Sequence, residues 1–76
     1  MVIDLVITKT DDGYNSEVPS IKGCDSWAHE EDEVIDKSIE LVKFYLQLPD
    51  KTKIVVDRAR KEDNVITYKL IFDKPI

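Results

Sequence analysis

The sequence predicts an α+β domain, an antiparallel sheet of four or five strands with one long helix packed on one face, in the order β-β-β-α-β-β. Three observations predict it. Stretches near both ends alternate apolar and polar residues, the two-residue period of a half-buried strand. The middle of the chain switches to apolar residues three and four apart, the period of an amphipathic helix. Asp11-Asp12-Gly13, Pro19, Gly23 and Pro49 stand between these stretches, where strands turn and helices stop.

Val2 to Lys9 puts Ile3, Leu5 and Ile7 on one side and Asp4, Val6 and Thr8 on the other. Asp11-Asp12-Gly13 offers the positive φ values of a tight hairpin, so Tyr14 to Val18 is expected to return antiparallel beside the first strand. Pro19 ends it by removing a ladder donor. Ser20-Ile21-Lys22-Gly23 reads as a corner in which Gly23 takes a conformation closed to other residues. Cys24 to Ala28 reads as a third, short strand with Trp27 as its heaviest apolar member.

From about Glu30 to Leu48 two helical series run side by side. Val34, Ser38, Leu41, Tyr45 and Leu48 form one, and Ile35, Ile39, Val42 and Leu46 the other. Asp32, Glu33, Asp36, Lys37, Glu40, Lys43 and Gln47 fall opposite, and Phe44 projects toward this polar side. Acidic residues in the first turn complement the helix dipole, and Pro49 is expected to end the helix. Beyond it, Lys53 to Ala59 alternates again, Arg60 to Asn64 reads as a polar turn, and Val65 to Phe72 sets Ile66, Tyr68, Leu70 and Phe72 on one face.

The 76 residues make a single domain, 1–76. A chain this short buries only about 60% of its unfolded surface, so association with a second copy is expected to support it. Its net charge of -5 argues against nucleic acid as the direct ligand and suits a basic protein partner. One cysteine excludes an internal disulfide, and no stretch reaches the roughly 20 apolar residues of a membrane span, so a cytoplasmic location is expected.

A catalytic reading begins with His29, the sole histidine, with Cys24 and Asp25 nearby in sequence. A nucleophile also needs a positioned base and oxyanion donors, which spacing alone does not supply. The ordinary reading is a corner cysteine and a histidine at the helix start. One Cys and one His are too few for a structural zinc site, two glycines make no phosphate loop, and no cofactor is implied. Lys51, Lys53, Arg58, Arg60 and Lys61 are interleaved with Asp50, Asp57, Glu62 and Asp63, as in an exposed hairpin rather than a nucleic-acid stripe. Trp27, Phe44 and Tyr45 are the aromatic candidates for an interface anchor; core packing is the ordinary role of Tyr45 and Trp27, whereas Phe44 lies off the apolar face.

The stretch Tyr14 to Leu46 resembles the HicB-like family, the antitoxins of bacterial and archaeal toxin-antitoxin pairs and their solitary relatives. The resemblance rests on Tyr14 in a strand, Val18-Pro19-Ser20-Ile21-Lys22-Gly23-Cys24, the acidic helix start Asp32-Glu33, Val34-Ile35, Ser38 and Tyr45-Leu46. It implies a β-β-β-α-β core like a truncated ribonuclease H fold without its carboxylate site. It also implies a non-enzymatic protein that neutralises a small basic RNA-cleaving toxin by occluding it. Two departures matter. The hydroxyl residue that caps the helix in the family is replaced around His29-Glu30, and the sequence ends at Ile76 with no ribbon-helix-helix or helix-turn-helix segment, so operator binding is not expected.

The expected partner surface is Trp27, Glu31, Asp32, Glu33, Asp36 and Phe44. The chain is expected to form a homodimer through a free strand edge or the outer side of the helix. Two alternatives stand beside this reading: a solitary structural or regulatory protein, and a small enzyme or ligand-binding protein using Cys24 and His29.

Overall fold

The computed structural model describes residues 1–73; residues 74–76 of the expected domain lie outside the described residues. The elements are β1 (Val2–Lys9), β2 (Tyr14–Glu17), β3 (Asp25–Ala28), α1 (Glu31–Leu46), β4 (Val55–Glu62) and β5 (Val65–Ile71). All pair antiparallel in one sheet of order β3-β2-β1-β5-β4. The α+β class and the element order are those predicted, with the helix packed on one face.

Alternation decides which side chains the sheet buries. Ile3, Leu5 and Ile7 of β1 and Ile66, Tyr68 and Leu70 of β5 point to the helix side, and Val34, Ser38 and Val42 of α1 meet that side. Val18, Cys24, Ala28, Leu48 and Phe72 close the core around them. One polar contact crosses it. A hydroxyl has one proton, so Ser38 donates to the Val34 carbonyl at 2.6 Å and its oxygen accepts from Ser16 across 2.7 Å.

Several details differ from the sequence reading. Gly13 does not take a positive φ. It is glycine because a Cβ there would lie 2.4 Å from the Ala28 carbonyl oxygen and 2.6 Å from Trp27 Cζ2. Gly23 does take one, at φ 82°. The helix stops before Pro49: Gln47 turns left-handed at φ 55°, and Leu48 N–H donates to the Lys43 carbonyl at 2.8 Å, so the stop is a C-terminal backbone motif. Leu48 is buried beyond the helix rather than on it. The start has no side-chain cap at Glu30, in keeping with the missing hydroxyl residue.

The polar run Arg60 to Glu62 is strand, not turn. β4 continues to Glu62, and only Asp63 and Asn64, with Asp63 at φ 50°, separate it from β5. A bulge between Arg58 and Arg60 makes room for this, since Arg58 stands opposite Tyr68 and Arg60 opposite Thr67. Tyr45 is not a core residue. It is 44% exposed and its hydroxyl donates to the Gly23 carbonyl at 3.3 Å, tying the helix end to the corner. Trp27 is not one either: it stands on the sheet face away from the helix, partly exposed, with the edge of His29 at 4.5 Å.

Candidate functional site

The exposed side of α1 carries the candidate surface. Residues three and four apart share a helix side, so Asp32, Asp36 and Glu40 form one ridge, with Glu33, Lys37 and Phe44 beside it. All are exposed, and Phe44 is 75% exposed, the most of any large apolar side chain in the described residues. Its ring meets Tyr45 edge-on at 5.6 Å and forms the wall between two shallow depressions. One is floored by Ser26 and Leu41 with Glu33, Asp36, Lys37 and Glu40 around it. The other is bounded by Lys43, Gln47, Leu48 and Asp50. The surface offers a bare aromatic ring at the end of a ridge of carboxylates, with Lys37 and Lys43 also beside it, a form suited to a basic side chain or a basic protein.

Four of the six expected contact residues, Asp32, Glu33, Asp36 and Phe44, therefore share one surface. The other two do not join it. Glu31 is turned inward, where its carboxylate accepts the Tyr68 hydroxyl, so it is a link between the helix start and β5. Trp27 lies across the sheet from the helix; only its backbone reaches this side, with its carbonyl accepting from Lys37 Nζ at 3.3 Å. Lys37 also lies 3.9 Å from Glu33. Glu40 belongs to the surface and was not singled out from the sequence, although its place beside Asp36 and Phe44 is legible from helical spacing.

The Cys24 and His29 constellation is not assembled. β3 lies between them, and five extended steps of about 3.3 Å put them roughly 16 Å apart. Cys24 is buried, and burial pushes its thiol above the ordinary value, with the Asp25 charge adding to the shift. His29 is exposed, its Nδ1–H donating to the Asp12 carbonyl at 3.1 Å. Among the described residues no three His, Cys, Asp or Glu side chains gather as metal ligands do, and no helix is long and apolar enough to cross a membrane.

The basic residues of β4 do not form a stripe. The bulge sends Arg58 to the helix side, where its guanidinium lies 5.9 Å from the Tyr68 ring centre, and Arg60 to the opposite side, where it pairs with Glu62. Tyr68 thus sits between Glu31 and Arg58. Burial and the Glu31 hydrogen bond raise its hydroxyl above the ordinary value, and Arg58 works against them. The comparisons with protein-family models, with curated proteins and with solved structures find no match to this chain.

Proposed function

We propose that the chain is a non-enzymatic, HicB-like interaction module of the cytoplasm that captures a small basic RNA-cleaving protein on the exposed side of α1. The observation that carries this reading is Phe44, 75% exposed one turn beyond Glu40, at the C-terminal end of the ridge that Asp32, Asp36 and Glu40 form. A large ring left mostly in water at that position adds nothing to the core, and aromatic anchors surrounded by polar groups concentrate binding energy at interfaces. The carboxylates steer a positively charged partner and set its orientation. A net charge of -5 adds to the steering at long range. The Tyr14 to Leu46 pattern supports the family, and the sheet-and-helix order suits its truncated ribonuclease H-like core.

The test uses the product of a short basic reading frame adjacent in the genome. The immobilised wild-type chain is expected to capture that protein and suppress its RNA cleavage. Phe44→Ala and the triple change Asp32→Lys, Glu33→Lys, Asp36→Lys are each expected to abolish capture while the circular dichroism spectrum stays that of the wild type. Capture that survives both variants unchanged, or a captured protein whose RNA cleavage continues, would overturn the reading.

A further inference from the structure

Among the described residues nothing is packed on the face of the sheet away from the helix, although that face holds most of the large apolar side chains left exposed. Of the eight large apolar side chains that remain exposed among the described residues, five stand on this face: Val2, Trp27, Val55, Val65 and Ile71. The strand register orders the face in rows. Val2, Ile71 and Val55 form one. The next holds Asp4, Lys69 and Asp57. A third, crossing all five strands, reads Asp25, Glu17, Val6, Thr67 and Arg60, acidic at the β3 end and basic at the β4 end.

We propose that this face is where a second copy of the chain stacks, about a two-fold axis running along the strands between β1 and β5. Such an axis keeps each row level and reverses its order, so β1 covers the partner's β5 and β2 covers the partner's β4. Glu17 then meets Arg60 of the partner subunit, and Arg60 meets the partner's Glu17. Asp4 and Lys69, already an ion pair within one copy, exchange partners in the same way. Val2 covers the partner's Ile71, and Val6 the partner's Thr67. The face is self-complementary, which is what an isologous dimer requires. Arg60 is free to take this role because its contact with Glu62 is fully at the surface and contributes little by itself.

The overlap is that of a weak dimer. β2, β1, β5 and β4 face the partner while β3 lies beyond it, and at about 3.3 Å per residue and about 4.8 Å between strands these four present roughly 430 Å² per copy, so the roughly 860 Å² of a pair fits a concentration-dependent association. Each copy carries a charge of -5, so long-range electrostatics opposes association. The β-branched rows supply the affinity, and the reversed ion pairs fix the register. This goes beyond the partner reading of α1 and is independent of it, since the two surfaces lie on opposite sides of the molecule.

A charge swap tested by sedimentation equilibrium decides the proposal. The wild-type chain is expected to be a dimer at micromolar to hundred-micromolar concentration. Glu17→Arg alone brings two like-charge contacts into the dimer, as does Arg60→Glu alone, and each is expected to weaken it tenfold or more. Mixing the two variants in equal amounts restores an opposite charge at both contacts, so a heterodimer forms where neither variant pairs with itself. Phe44→Asp leaves the dimer unchanged. A monomeric wild type, single variants that dimerise like the wild type, a mixture no tighter than its components, or loss of the dimer on Phe44→Asp would each overturn the proposal.

Discussion

The two faces of this sheet come from the same five strands and differ in what holds them. On the helix side, Leu5, Ile7 and Leu70 have no exposed surface, and Val34 and Val42 of α1 are equally dry. On the other side, Val2, Val55, Val65 and Ile71 keep more than a third of their surface in water and stand beside cross-strand neighbours. Alternation therefore divides one strand between two energy scales. A side chain on the helix face contributes its transfer free energy plus the cost of any void it would leave; one on the open face contributes a cross-strand contact. Stability belongs to the first face.

The largest expected effect follows directly. Leu5→Ala should cost about 2 to 5 kcal/mol, comparable with the whole stability of a domain this small, whereas Val65→Ala on the open face should cost less than about 1 kcal/mol. Urea midpoints of the two variants check the ratio; equal losses would mean that the faces are not energetically distinct in the monomer.

A smaller effect tests the polar contact inside the dry face. Ser38→Ala leaves the buried Ser16 hydroxyl without its partner and should cost about 1 to 3 kcal/mol. Changing both serines to alanine should cost less than the sum of the single changes, because the double variant strands no donor. Additive losses in urea titrations would show that the two hydroxyls do not act on one another.

The smallest effect lies at the rim between helix and sheet. Tyr68→Phe should cost about 1 kcal/mol near neutral pH, since Glu31 is only half-buried and regains water when the hydroxyl is gone. The Tyr68 hydroxyl is raised from its ordinary value of 10.0, so its contribution is fully present below that pH and is lost as pH rises through the higher folded-state value. The wild type should lose stability over that alkaline range more steeply than Tyr68→Phe. Parallel slopes in urea titrations across that range would refute the link.

What the sequence disclosed follows the same division. β1, α1 and β5 were legible because each buries one side and exposes the other, leaving a period in the residues. Arg60 to Glu62 at the end of β4 were not, because all three are exposed and backbone pairing with β5 leaves no mark on side-chain order. The bulge at Arg58/Arg60 is equally silent. Phe44 could be placed outside by helical phase alone. Glu31 and Trp27 could not, since one turns on a hydroxyl far along the chain and the other on which face of β3 the helix covers. Gly13 was located correctly and explained wrongly: proximity to Ala28 and Trp27, a long-range fact, took the place of local turn geometry.

The pairing of β1 with β5 has a consequence in time. These two strands form the middle of the sheet, yet they stand at opposite ends of the described chain, with every other element made between them. As the polypeptide emerges, β1, β2, β3 and α1 can gather early, but the inner side of β1 has no neighbour at its second edge until β5 arrives. Until then, Leu5 and Ile7 remain in a half-built sheet with a bare hydrogen-bonding edge, the kind of intermediate that other chains can pair with. Closing so distant a contact is also slow, since the loop entropy is lost before the strand pairing repays it. The arrangement makes folding nearly all-or-none along the chain, and its vulnerable interval is the wait for β5.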